Sequence, residues 1–251
     1  MAKDIITAQL RQRFGKRISF SRKELYAFYT VFKPDLKETT FRWIIYKLKE
    51  KQIITSISKG LFTLSFKPVF KPDIYKATEK IYTSVEKQFS TLKFCVWTTQ
   101  IVSEFMLHIP AKHITILQVE KEALEPVYDF LKEQKFGDIF IQPEEKEIER
   151  YIYESAKAII LLPLITKSPV QMINNITTTT LEKLIVDLYS DKKIFAAFQG
   201  SELKHIVNNA YSRYAIDFTK LFHYAKRRRK DIELRQFFAS KTDIPKNILN
   251  D

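Results

Sequence analysis

Apolar residues return at helical spacing three times within the first fifty positions. Ile5, Ile6, Leu10 and Phe14 predict a helix over 4–14, which Gly15 is placed to stop. Ser21-Arg22-Lys23-Glu24 has the S-x-x-E form of a capping box, followed by Leu25, Phe28, Tyr29 and Phe32. A second helix is therefore predicted from Ser21 to just before Lys33-Pro34. Phe41, Ile44, Ile45, Leu48 and Ile53 form the apolar stripe of a third, from Lys37 or Glu38 to Gln52. The period then changes. Ile53–Ile57 is β-branched, Ser58-Lys59-Gly60 is turn-like, and Leu61–Leu64 predicts a second short strand. Three helices and a β-hairpin in this order predict a winged helix-turn-helix over 1–65. In such a unit the third helix enters the DNA major groove and the hairpin tip reaches the backbone or minor groove.

Ser65–Pro72 carries two prolines, each holding the preceding residue extended, which predicts a stiff linker over 66–73. Beyond it, helix and strand patterns alternate. A helix is expected over 73–91, strands at 94–97, 113–119, 138–141 and 158–162, and helical segments at 100–107 and 123–134. From Thr180 onward the pattern is helical, over about 180–190, 199–212, 217–229 and 231–239. The fold class expected is α/β (α+β overall). Residues 74–251 would form a small, partly parallel sheet domain with a helical C-terminal region.

Charge sharpens the picture. The 251 residues carry a net charge of +13, but 16 Lys/Arg against five Asp/Glu through Pro72 place +11 in the first segment. A compact basic unit points to an anionic polymer, because each neutralised phosphate releases a counterion. Lys37, Thr39, Thr40, Arg42, Trp43, Tyr46, Lys47 and Lys51 lie largely outside the apolar stripe of the third helix. Thr39, Thr40 and Arg42 are nearest the end that meets base edges: arginine matches guanine and threonine the thymine methyl. Arg22 and Lys23 are expected on phosphates at the start of the second helix, and Lys59 at the wing tip. The partner expected is double-stranded DNA. A second cluster, Lys226, Arg227, Arg228, Arg229 and Lys230, ends a predicted helix. Its cations complement the helix dipole and form a candidate second anion contact.

Several chemistries find no support. Four separated glycines make neither a dinucleotide fingerprint nor a Walker A loop. One cysteine, Cys95, in an apolar run, excludes an internal disulfide and a Cys-based zinc module. The four histidines lack ligand spacing, so no metal or cofactor is expected, and no catalytic residue is assigned. The opening segment has no secretory apolar core and no run approaches ~18 apolar residues, so a cytoplasmic protein is expected. Two alternatives stay open. Asp138 with Glu144-x-Lys146 has the outline of a metal-dependent nuclease site, and a winged helix also serves as a protein-binding scaffold.

The wing Ser58-Lys59-Gly60-Leu61-Phe62, the run Thr180–Asp187, the run Phe198–Leu203 and the helical end together resemble the AbiEi-like antitoxins. These belong to type IV, abortive-infection toxin–antitoxin systems. The resemblance implies a non-enzymatic DNA-binding repressor of its own operon that opposes a nucleotidyltransferase toxin, with direct contact not required. The chain lacks the Gly-rich loop many such proteins carry after the motif's aspartate, here Asp187, and that residue is given no chemistry.

Overall fold

The computed structural model describes residues 2–249. Those residues divide into two compact units. One comprises the chain up to Val69 with Arg213–Thr219 and the part from Ile244 on; the other comprises Phe70–Ser212 with Lys220–Asp243.

The first unit opens with α1 (Ala2–Phe14), β1 (Phe20–Ser21), α2 (Arg22–Phe32), α3 (Glu38–Glu50), β2 (Thr55–Ser58) and β3 (Leu61–Thr63). The strands form an antiparallel sheet in the order β1-β3-β2. This is the winged helix-turn-helix arrangement that the sequence predicts. Leu10 and Phe14 of α1, Leu25 and Phe28 of α2, Phe41 and Leu48 of α3 and Phe62 of β3 make one core. Ile5, expected inside, is 57% exposed. At Gly15 any Cβ would lie 2.4 Å from the Arg11 carbonyl oxygen, so only glycine fits the exit of α1. Ser21 caps α2 as predicted: its Oγ accepts from the Glu24 N–H at 3.2 Å, and its own N–H donates to Glu24 Oε2 at 2.7 Å.

Two local departures have physical causes. The helix α3 stops at Glu50, because Gln52 adopts the left-handed conformation (φ 54°) and Ile53 N–H bonds back to the Leu48 carbonyl at 2.9 Å. That six-to-one bond is a Schellman ending made without glycine. Ile53 and Ile54 are used in this exit, so the strand starts at Thr55. The strand β1 was not anticipated: two residues wedged between a turn and a helix cap carry no periodicity, yet Phe20 pairs with Phe62 and Ser21 with Leu61.

The second unit contains α4 (Lys76–Gln88), β4 (Phe94–Thr98), a 3-10 segment (Thr99–Phe105) and β5 (Thr115–Val119). Next come α5 (Leu124–Glu133), β6 (Asp138–Ile141), the short α6 (Glu145–Glu147) and β7 (Ala158–Pro163). A hairpin of β8 (Val170–Ile173) and β9 (Ile176–Thr179) precedes α7 (Leu181–Ser190). Helices α8 (Ser201–Arg213), α9 (Phe218–Arg227), α10 (Asp231–Lys241) and α11 (Lys246–Leu249) follow, α8, α9 and α11 lying partly or wholly in chain assigned to the first unit. The expected helix over 73–91 is shorter, with Ile74 and Phe89 flanking it and still packed on the core. The main sheet has the order β4-β5-β7-β6, with β4 antiparallel to β5 and the other pairs parallel. The α/β class therefore holds.

Alternation along the strands splits the sheet's two faces. Phe94, Val96, Leu117, Val119, Ile159 and Leu161 join Ile81 and Val85 of α4 and Val127 and Leu131 of α5 in one core. Cys95, Trp97, Ile116, Gln118 and Ile160 point the other way by the period of two. There Trp97 stacks on Phe195 at 5.6 Å between centroids. Every residue of α7 from Leu181 to Tyr189 is buried, including Lys183 and Asp187. The Lys183 ammonium donates to both Asp187 Oδ2 and Gln118 Oε1, and the Tyr224 hydroxyl donates to Asp187 Oδ1 at 2.7 Å. Burial, then the Asp187 charge, pushes the Tyr224 phenol far above its ordinary range, and burial pushes the Cys95 thiol up to about 12.

Removing one partner of such a pair leaves a buried charge alone. Lys183→Ala or Asp187→Ala should each cost about 3–5 kcal/mol in denaturant unfolding, whereas the double replacement Lys183→Met with Asp187→Leu should cost much less. A loss in the double variant equal to the sum of the two single losses would show that the pair is not coupled.

Candidate nucleic-acid interface

The winged helix brings three basic segments together. The Arg22 N–H donates to the Gly60 carbonyl at 2.6 Å, which seats the N-terminal end of α2 against the wing. Gly60 is left-handed (φ 75°) as the second residue of the Lys59–Gly60 turn between β2 and β3, a conformation glycine adopts freely. The Arg22 guanidinium lies 5.0 Å over the Phe41 ring and pairs with Glu38, the first residue of α3. The same oxygen, Glu38 Oε1, is 3.7 Å from Arg42 Nε, one turn along.

Of the residues singled out in the sequence, Lys23, Lys37, Thr39, Arg42 and Lys59 are exposed around this meeting point and Thr40 is half-buried. Arg42 is more exposed than Arg22, its side chain 74% against 37%. Arg22 is thus held by a carboxylate and a ring as well as being close to the surface. Lys47 is engaged too: it donates to Glu50 at 2.7 Å and lies 5.5 Å over Trp43 and 5.7 Å over Tyr46. The bond to Glu50 holds its ammonium above the ordinary lysine range. Trp43 and Tyr46 are 56% and 60% exposed, side by side on the outward face of α3. Sequence reasoning assigned no role to Glu38; its signal was an acid one turn before Arg42 at the head of a basic helix.

The cluster Lys226–Lys230 is less uniform than its sequence. Arg228 donates to Asp191 at 2.5 Å and is largely buried. Burial opposes its charge, but the Asp191 and Asp187 carboxylates outweigh that and raise its pKa. Burial raises the Asp191 pKa, with Arg228 acting against it. Arg227 donates to Thr166, and Lys230 pairs with Glu233 at 2.9 Å. Arg229 is left-handed (φ 56°), and Lys230 N–H bonds to the Ala225 carbonyl at 2.9 Å, so this run forms a Schellman end of α9. Lys226 and Arg229 remain exposed.

The nuclease outline is dispersed. Asp138 accepts from Ser155 at 2.7 Å in a cleft of about 530 Å³ lined also by Tyr128, Lys132, Arg150 and Glu154. Glu144 and Lys146 are not among the residues lining that cleft. Glu144 instead caps α6, where its N–H donates to Glu147 at 2.9 Å. No group of three or more His, Cys, Asp or Glu side chains placed to hold a metal ion occurs among the described residues. Among them, too, no helix is long and apolar enough to cross a membrane.

Comparison with known families gives a match over residues 40–244, more than half of the chain. The chain belongs to that family of unknown function, DUF6577. The DUF6577 span starts inside α3 and takes in the wing, the main sheet, α7 and α10. Comparison with curated proteins gives no match.

Two outcomes follow from these contacts. Arg228→Ala should lower stability by about 1.5–3 kcal/mol, since it strands Asp191. Arg229→Gly should raise it by up to about 1 kcal/mol by relieving the left-handed residue; thermal melts of the two variants check the pair. The Ser21 N–H lowers the Glu24 pKa, with Arg17 assisting. A depressed folded value stabilises above the ordinary glutamate range and is lost as pH falls through it. Melts taken from pH ~7 down to ~3 should therefore show a smaller acid loss in Glu24→Gln than in the wild type.

Proposed function

We propose that this DUF6577 protein is a cytoplasmic DNA-binding regulator that reads duplex DNA with α3 in the major groove and rests its wing on the neighbouring backbone. The observation that carries this reading is the meeting of the head of α2, the first turn of α3 and the wing at Arg22, Glu38 and Gly60. Lys23, Lys37, Arg42 and Lys59 surround that point, within a segment bearing +11 of the +13 net charge. Arg42 reads a guanine edge; Lys23, Lys37 and Lys59 contact phosphates and give affinity without sequence information. Thr39 and Thr40, in the same turn, are placed for a thymine methyl.

The likeness to AbiEi-like antitoxins extends the proposal: a repressor of its own operon that opposes a nucleotidyltransferase toxin, acting without chemistry of its own. Lys226 and Arg229 are the members of the second cluster left for an outside anion, such as flanking DNA. One observation favours a second reading. Exposed Trp43 and Tyr46 on the outward face of α3 suit a protein-docking helix.

The deciding measurement is binding of the protein to its own upstream DNA and to a scrambled duplex at two salt concentrations. Preference for the upstream fragment with a steep salt slope is expected. Arg42→Ala should weaken only the specific complex, by about 1–3 kcal/mol. Lys59→Ala should weaken both complexes alike and reduce the salt slope by about one. Negligible binding to either duplex at ~50 mM salt, where phosphate contacts are strong, overturns the DNA reading in favour of protein docking.

A further inference from the structure

Glu38 is the anomaly of the basic surface. A carboxylate at the head of a helix gains from the dipole wherever it stands, yet this one is placed for more. Its Oε1 accepts from the Arg22 guanidinium and lies 3.7 Å from Arg42 Nε. Its side chain is 49% exposed, in the turn of α3 that meets base edges. Against a phosphate backbone a carboxylate there is repulsive, so it weakens contact with DNA of arbitrary sequence. Arginines on both sides temper that repulsion without removing the negative oxygen atoms.

A carboxylate is an acceptor only. Two bases offer donors in the major groove, adenine N6 and cytosine N4, and adenine sets its N7 acceptor beside the donor, where a second carboxylate oxygen would meet it. Cytosine has no such neighbour. A G·C pair then presents O6 and N7 acceptors on guanine next to the N4 donor on cytosine, across the width of one base pair. Adjacent Arg42 and Glu38 supply the complementary order, donors and then an acceptor. We infer that Glu38 and Arg42 together read one G·C pair, with Glu38 as the specificity-determining residue that accepts from cytosine N4 and disfavours every other contact. Arg22, held over Phe41, keeps the carboxylate aimed outward from its root in α2.

This rests on the DNA-binding reading, so the experiment separates the two. Enrichment of a random duplex library by the wild type, Glu38→Gln and Glu38→Ala is compared, with affinity for a scrambled duplex measured for each and thermal melts confirming folding. Glutamine carries a donor as well as an acceptor and matches adenine N6 and N7. The expected result is a G·C position in the wild-type motif that shifts towards A·T in Glu38→Gln and becomes degenerate in Glu38→Ala. Discrimination there should fall by about tenfold, while affinity for scrambled DNA rises several-fold in both variants. A purely structural Glu38 would change affinity and leave base identity alone; unchanged base preference in both variants overturns the inference while the DNA reading stands. A wild type that enriches no sequence overturns both.

Discussion

The second unit is organised around one ammonium. Lys183 is wholly buried in α7, on the sheet face that also carries Cys95 and Trp97. An ammonium in such a place costs several kcal/mol of lost hydration, which only a close counter-charge and further acceptors offset. Asp187, one helical turn on, supplies the charge, Gln118 of β5 supplies a carbonyl oxygen, and Tyr224 of α9 holds the second oxygen of the aspartate. The consequence is geometric. If α7 were rotated by a single residue, the ammonium would leave Gln118 and face apolar side chains, whereas an all-leucine helix would tolerate the slip. The network therefore selects one orientation of α7 against the sheet, and with it the position of α9 through Tyr224. Asp191 extends this order, since its partner Arg228 fixes the end of α9.

How much of this was legible depends on whether the cause is local. Helices α2 and α3 were readable because capping and amphipathic spacing are written within a few residues: Ser21 with Glu24, and Phe41, Ile44, Ile45 and Leu48. The apolar runs Phe94–Trp97 and Ala158–Leu162 likewise declared strands buried on both faces. The β8–β9 hairpin was missed although its signal was present, as Asn174 and Asn175, both left-handed (φ 49° and 65°), join two β-branched runs. Asparagine is the residue that tolerates such a turn best after glycine. Other features had no local trace. Gln52 and Arg229 end helices where glycine is usual, and only the packed core makes a non-glycine residue accept that backbone. Lys183, Gln118 and Tyr224 are distant in sequence, so their association is a property of the folded sheet.

The same distinction applies to the candidate interface. Net charge located the basic unit, but charge counting treats all cations as equivalent. Contacts do not. Arg22, Lys47 and Lys230 are each committed to a carboxylate of the chain itself, in exposed pairs too weak to explain as scaffolding. Their effect is on availability. A cation already paired must leave one anion to meet another, whereas Arg42 and Lys59 need give up much less.

Side-chain shape adds a constraint along α3. Trp43 and Tyr46, with the Lys47 ammonium over both rings, form a broad, partly apolar patch over the second and third turns. Glu38 and Thr39, with Arg42 one turn on, make a narrower, polar N-terminal end. A groove about 12 Å wide admits a helix with little to spare, so in the proposed complex the bulky patch could not go as deep as the slender end. On the proposed DNA-binding reading the helix would enter by its N-terminal end, with Trp43 and Tyr46 against the groove wall. In that pose the wing, anchored to Arg22 through Gly60, would be carried towards the adjacent backbone. If the chain binds DNA as proposed, the aromatic pair would serve without hydrogen bonds, by setting the depth and angle at which the N-terminal end of α3 meets the base edges, rather than by docking a protein.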